Sequence, residues 1–143
     1  MELSAKRTEA SLVTDAFDRL RKMPGVRVCC DVPLLGRCVD LVYSKDNSVI
    51  SLEFKLHDWR RAIIQARDHL LGVDRAYVCM PRRAVPQVMR TELERAGVGL
   101  MHFSEHGDWP FEIIIEAPVS GETWAAARSR VWTYLCIEET DIQ

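Results

Sequence analysis

The sequence predicts a single α/β domain in which a helix, three strands, a second helix and a fourth strand follow one another. Three observations support this class. The 143 residues, 48% of them hydrophobic, suffice for one compact core and no more. The spacing of apolar residues switches between the helical period and strict alternation. Pro, Gly and polar turns separate the segments. We therefore expect one domain spanning residues 1–143.

The first half of the chain predicts a helix followed by a three-stranded meander. Apolar residues recur at helical spacing from Leu3 to Lys22, and the sequence MPG ends the pattern. Three strand-like runs follow: VRVCCDVPLL, which we expect to fray at Pro33, then RCVDLVYS and NSVISLEFKL. The polar turn SKDN between the last two runs predicts that they pair as antiparallel neighbours.

The second half predicts a crossover and three further elements before a final helix. Asp58 is a candidate N-cap for the helix WRRAIIQARDHLL, which ends at Gly72. The run RAYVCMP is almost entirely apolar, as is typical of a central strand, and a helix joins it to the third strand. A right-handed crossover with parallel pairing follows from that connection. A third helix then ends at Gly97, and the strands VGLMHF and FEIIIEA precede the helix ETWAAARSRVWTYLCIEE.

The final helix is apolar on two faces. One face carries Trp124, Ala127, Val131 and Leu135, and the other carries Trp132 and Cys136. Since one apolar face suffices to reach the core, the second predicts contact with another subunit.

The composition predicts the cellular compartment of the protein. No segment has the apolar length of a signal peptide or of a membrane-spanning helix, so we expect a soluble, cytoplasmic protein with no membrane partner. Five cysteines without a CxxC pair are typical of buried thiols rather than of a disulfide framework or a zinc knot. No sequence pattern indicates an organic cofactor.

Charge is distributed unevenly along the chain. The formal net charge is −2, but Lys and Arg number 9 against 5 Asp and Glu in residues 55–95, and 2 against 8 in residues 96–143. A positive surface can therefore exist in the middle of a chain that is nearly neutral as a whole.

The stretch VISLEFKL combines an apolar face with a charged one. Leu52 and Phe54 fall on one side of the strand, and Glu53 and Lys55 on the other. Asp40 lies in the apolar run CVDLV of the preceding strand, where the antiparallel register can bring it across from Glu53. Charges buried near the middle of a sheet are costly, and a divalent cation is the simplest compensation. In the alternative interpretation, Glu53 and Lys55 form a solvated pair on an amphipathic edge.

These residues resemble the motifs of the PD-(D/E)xK nuclease superfamily, whose fold is restriction-endonuclease-like. The matching text is GRCVDLVYS, LEFK, the helix RRAIIQARDHL and the strand RAYVCMP, and the αβββαβ order also agrees over about residues 3–103. The likeness is greatest to small members with a QAxxY-like helix and to Holliday-junction resolvase-like members. Two departures stand out: Val39 precedes Asp40 where the motif has Pro, and His69 stands where it has Tyr.

The resemblance implies a Mg²⁺-dependent endonuclease that hydrolyses DNA phosphodiester bonds, with Mn²⁺ able to replace Mg²⁺. Asp40, Glu53 and the backbone carbonyl of Phe54 would be the metal ligands, which suits a hard cation that prefers oxygen. Lys55 would position or deprotonate the attacking water and offset charge in the transition state.

Further residues would support this chemistry. Gln65, on the second helix, could hold a water or a phosphate oxygen, and Glu9, on the first, is a candidate by analogy with the resolvase-like members. The expected DNA contacts are the arginines Arg37, Arg60, Arg61 and Arg67. Taken singly, arginines of this basic segment, Arg82 and Arg83 included, are also explained as solvated surface charges.

Two alternatives to a DNA endonuclease remain open from the sequence. The chain can keep the fold without catalysis and bind DNA or a protein partner, as the acidic tail and neutral net charge would suit. It can also act on RNA or on a small phosphate ester. Small nucleases of this kind often pair two sites for two strands, so the resemblance implies a homodimer.

Overall fold

The computed structural model describes residues 7–141 and the side chains of residues 7–137. Over this range the chain forms one six-stranded sheet with helices on both faces. The elements in chain order are α1 (Glu9–Leu20), β1 (Val26–Leu34), β2 (Arg37–Lys45), β3 (Ser48–Phe54), α2 (Trp59–Asp68) with a short 3₁₀ helix (His69–Leu71), β4 (Arg75–Met80), α3 (Gln87–Ala96), β5 (Gly99–Phe103), β6 (Phe111–Ile115) and α4 (Ala125–Asp141).

The sheet is mixed, and its spatial order follows the chain from β1 to β6. Strands β1, β2 and β3 form an antiparallel meander, β3 to β5 are parallel, and β6 returns antiparallel to β5. Helices α2 and α3 make the two parallel connections. The expected α/β class with an αβββαβ core and a C-terminal helix is confirmed.

Two-residue turns fix the register of the meander. Asp46 and Asn47 both have positive φ between β2 and β3, and so do Leu35 and Gly36 between β1 and β2. Paired positive φ values are typical of turns whose twist matches that of the flanking strands. The register Leu41↔Leu52 that follows places position 40 opposite position 53.

The expectation that β1 frays at Pro33 is wrong. The strand continues to Leu34, and Pro33 pairs with Cys38. Because β1 is an edge strand, a proline there need not interrupt the ladder on the side that is paired.

The two faces of the sheet carry separate hydrophobic cores. Helix α1 covers one, where Leu12, Ala16 and Leu20 are fully buried against residues such as Leu52 and Tyr77. The other is covered by α2, α3 and α4, which bury mostly aliphatic side chains. Glu53 belongs to this second face, since it alternates with Leu52 and Phe54.

Helix boundaries differ from expectation at both ends of the chain. Helix α1 begins at Glu9 with Thr8 as its N-cap, in a reciprocal capping box with Ser11; the predicted start at Leu3 lies outside the described residues. Helix α4 begins at Ala125. Trp124, expected on its core face, precedes the helix and is 59% exposed.

The second apolar face of α4 is largely engaged within the chain. The Arg27 guanidinium of β1 lies over the Trp132 ring at 5.7 Å and donates to Cys136 Sγ at 3.0 Å. These contacts explain much of that face without a second subunit. Among the described helices, none has the length and apolarity needed to cross a bilayer. No disulfide joins any of the five cysteines, all of which lie within the described residues.

Candidate active site

The structure brings Asp40 and Glu53 together on adjacent strands. Asp40 Oδ2 accepts a hydrogen bond from the backbone N–H of Phe54 at 2.8 Å, and the two carboxyl groups are close enough to share a hydrogen bond. Glu53 is only 6% exposed. A strand residue turns its N–H and C=O to the same side. The Phe54 carbonyl therefore lies on the Asp40 side, as the expected ligand set requires.

The pair is electrostatically strained. Burial, followed by the neighbouring Asp40 charge, raises the pKa of Glu53 to about 8. Burial also raises the pKa of Asp40, although the Phe54 N–H opposes the shift. Two carboxylates held this close cannot both ionise cheaply, so the pair retains a proton at neutral pH unless a positive charge compensates it.

Lys55 supplies a positive charge that acts on both carboxyl groups, and Glu9 forms an ion pair with it. Lys55 follows the last residue of β3, and its N–H still bonds to Cys79 O at 3.1 Å. Glu9 reaches from the first turn of α1, accepting from the Leu56 N–H at 3.2 Å through Oε2 and lying 4.0 Å from Lys55 Nζ through Oε1. Glu9 therefore contacts the lysine and the chain beyond it.

Helix α2 and the 3₁₀ helix that follows it carry a line of polar residues, of which His69 approaches the carboxyl pair. Arg61, Gln65 and His69 are spaced four residues apart and so lie above one another on one helix face. His69 Nε2 is 3.7 Å from Glu53 Oε1. Burial lowers the pKa of His69 to about 4, so the ring is neutral and this contact is no ion pair. Gln65 Oε1 is buried without a hydrogen-bond partner among the described residues.

The arginines expected to contact DNA are all exposed but lie in different settings. Arg37 and Arg67 line an open cleft of about 340 Å³ beside the β1–β2 turn. Arg37 is ion-paired there with Asp68 at 3.0 Å, which reduces the positive charge it offers. The Arg60 guanidinium stacks over the Trp59 ring at 4.2 Å.

Two further arginines follow β4, at the end of the sheet where β3 also ends. Arg82 and Arg83 directly follow β4, and since β3 and β4 are parallel, their carboxyl ends share one sheet edge with Lys55. Neither was singled out as a DNA contact from the sequence. The sequence feature that could have pointed to Arg82 and Arg83 is Pro81, which ends a parallel strand. Loops that follow the carboxyl ends of parallel strands are the usual ligand-binding loops of α/β sheets.

The donor set suits Mg²⁺ better than a softer ion. Among the described side chains, those of residues 7–137, no three of His, Cys, Asp or Glu are arranged to hold a metal ion. Mg²⁺ needs fewer protein ligands, since it is often bound through one or two carboxylates, with waters and substrate phosphates completing its shell. Asp40 and Glu53 offer two such carboxylates, and a bound cation would favour their ionised forms.

The comparison with known proteins finds similarity in fold and none in sequence family. No family model and no curated protein sequence matches the chain. An XisH family protein from Nostoc punctiforme superposes with a TM-score of 0.51 and 11% identity, over 73% of this chain and 99% of that one. This likeness independently supports the α/β fold described above.

Two other solved structures are more distant. A repair endonuclease from Pyrococcus abyssi has a TM-score of 0.45 and 19% identity, over 69% of this chain and 48% of that one. SfsA from Pyrococcus furiosus, solved in complex with Ca²⁺, has a TM-score of 0.39 and 13% identity, over 76% and 61%.

Proposed function

We propose that this protein is a Mg²⁺-dependent endonuclease that hydrolyses DNA phosphodiester bonds. The observation that carries the proposal is the contact between Asp40 and Glu53, two partly or fully buried carboxyl groups whose pKa values are both raised. Such a pair has a cost in a purely structural role. It is useful where a divalent cation must be held at a sheet edge.

Asp40, Glu53 and the Phe54 carbonyl would hold the ion. When bound, Mg²⁺ supplies Lewis acidity toward a phosphoryl oxygen and lowers the pKa of a water. Mn²⁺, which shares the preference for oxygen ligands, should replace it.

Lys55 stabilises the transition state of the proposed reaction. The Lys55 side chain extends from the same sheet edge as the carboxyl pair and is 18% exposed. It can therefore contact a substrate while it remains paired with Glu9. There it orients the attacking water and offsets the charge that develops on the phosphoryl oxygens. Glu9 fixes the direction of this side chain, and Gln65 offers its unpartnered amide oxygen to a water.

The surroundings suit a polyanionic substrate. Exposed arginines lie on α2, at positions 60, 61 and 67, and after β4 at position 82, where Arg83 follows as a half-buried side chain. Phosphate contacts of this kind position a nucleic acid without reading its sequence. The homodimer remains part of the proposal, with the exposed Trp124 and Ile137 side chains as its candidate contacts.

A second candidate function is a nuclease-fold module that binds DNA or a protein without cutting. The observation that favours it is the lack, within the described part of the chain, of a three-ligand metal group. The Lys55–Glu9 ion pair also engages the lysine within the chain. Metal-dependent cleavage separates the two candidates.

The test is cleavage of supercoiled plasmid and of branched DNA with Mg²⁺, with Mn²⁺ and with chelator. Glu53→Ala and Lys55→Ala should each lower the rate roughly 100-fold or more, as expected when one charged group at the transition state is removed. Lys22→Ala removes an exposed lysine distant in sequence and should leave the rate unchanged. If the wild type shifts DNA but cuts neither substrate with either metal, the binding module is the correct interpretation.

A further inference from the structure

His69 is a buried side chain that turns one ring nitrogen toward the carboxyl pair. It is 2% exposed, and its Nε2 atom faces Glu53 Oε1 at 3.7 Å. Its Nδ1 atom is buried without a hydrogen-bond partner among the described residues. A histidine buried only for packing has no need to direct a ring nitrogen at a buried carboxyl group.

The other charges near His69 compensate each other. Asp68 and Arg37 both act on the ring electrostatically, with opposite signs, and they are ion-paired with each other at 3.0 Å. Glu53 is therefore the polar group toward which the Nε2 atom is directed.

We propose that His69 is a positioning residue that donates a hydrogen bond from Nε2–H to Glu53 Oε1 and so orients this carboxylate toward the bound cation. The inference rests on the proposed function, since it assigns a role at the same site. The present distance is longer than a direct hydrogen bond, and a side-chain shift of about 1 Å closes it.

The chemistry of the two groups fixes the direction of this bond. A neutral imidazole has one N–H donor and one acceptor nitrogen, whereas an ionised carboxylate only accepts. The Nε2–H tautomer therefore matches Glu53 in its metal-binding form, with the unpartnered Nδ1 as the acceptor. Hydrogen bonds to ligating carboxylates commonly contribute about 10–100-fold to metal affinity.

The first experiment measures Mn²⁺ affinity by calorimetry for the wild type, His69→Leu and His69→Gln. His69→Leu should weaken binding about tenfold or more. His69→Gln keeps an N–H donor at a similar distance from the backbone and should restore most of the affinity. His102→Leu is the matched control, because His102 is also buried with an unpartnered ring nitrogen but is influenced by Glu112, Arg82 and Arg83 rather than by Glu53.

The second experiment needs no variant. Nitrogen-15 chemical shifts of the His69 ring in the Mg²⁺-saturated wild type should identify the Nε2–H tautomer. The Nδ1–H tautomer would overturn the proposal, because Nε2 would then face a carboxylate as a second acceptor.

The outcomes separate the two proposals. If the wild type binds Mn²⁺ and His69→Leu binds it equally well, or His102→Leu loses as much affinity, the role of His69 is wrong and the proposed function stands. If the wild type itself binds no Mn²⁺, the proposed function fails and the role of His69 fails with it.

Discussion

At the residue scale, the molecule is organised around a carboxyl pair that is unfavourable on its own. Burial raises the pKa of both Asp40 and Glu53, the Asp40 charge raises that of Glu53 further, and Lys55 opposes both shifts only in part. Lys55 lies beyond the last residue of β3 and pairs with Glu9 of α1, but the alternation of VISLEFKL placed Glu53 correctly on the face opposite Leu52 and Phe54. It gave no information on burial, which is set by helix α2 packing over that face and not by the strand.

The raised pKa of Glu53 predicts how the stability of the metal-free protein depends on pH. The folded protein binds this proton up to about pH 8, whereas the unfolded chain releases it near the ordinary value of 4.5. Between those values the folded state holds more protons, so the free energy of unfolding should fall as pH rises. Buried His69, whose pKa is lowered to about 4, has the opposite effect below its ordinary value of 6.5. Thermal unfolding in chelator should therefore show the decrease between about pH 6.5 and pH 8.

Glu53→Gln should flatten that dependence, since the amide does not titrate. Glu94→Gln, an exposed change on α3, should leave the slope as in the wild type. A wild-type unfolding temperature that rises steadily from pH 6.5 to pH 8 in chelator would contradict the raised pKa.

At the scale of elements, the sheet is held in register by close backbone contacts as well as by hydrophobic burial. Gly99 begins β5 between β4 and β6. A Cβ added there would lie 2.5 Å from Ile115 O and 2.7 Å from Ala117 N. The Ala117 N–H also donates to Tyr77 Oη at 3.2 Å, which ties the end of β6 to β4.

Gly99→Ala should therefore destabilise the fold by about 1–3 kcal/mol, the usual cost of overpacking a well-packed site. Backbone atoms, unlike the end of a flexible side chain, cannot move aside without disturbing the β5–β6 pairing. Urea unfolding measures the effect. Gly121→Ala is the control, because a Cβ there meets nothing within 4 Å; equal destabilisation of the two variants would refute the packing argument.

At the scale of the whole molecule, the order and direction of the strands bring positively charged side chains together at one end of the sheet. The parallel strands bring Lys55, Arg82 and Arg83 to one sheet edge, although they are far apart in sequence. The last third of the chain, residues 96–143, has 8 Asp and Glu but only 2 Lys and Arg. A net charge of −2 is therefore compatible with a local surface that attracts phosphate.

DNA affinity should depend on that edge. The double variant Arg82→Ala and Arg83→Ala should weaken binding and reduce the slope of log K against log salt by about one for each phosphate that is no longer neutralised. Fluorescence anisotropy with a labelled duplex at several salt concentrations measures both. Arg130→Ala, an exposed change on α4, should alter neither. An unchanged slope in the double variant would exclude this edge from the DNA-binding surface.

The sequence by itself determined the order of elements, the antiparallel meander, the parallel crossover and the position of Glu53 on the face opposite Leu52 and Phe54. These follow from periodicity, turn residues and connection length, which are local properties. The contact of Asp40 with Glu53 also followed once the turn at Asp46 and Asn47 fixed the register.

Only the tertiary structure decided what lies around that pair. The reach of Glu9 to Lys55 and Leu56, the approach of His69 to Glu53 and the cover of Trp132 by Arg27 join residues on separate elements. No local pattern encodes them, because they depend on how helices pack on a twisted sheet. The same reason explains why Pro33 remained in its strand: the position of β1 at the sheet edge is a property of the assembled fold.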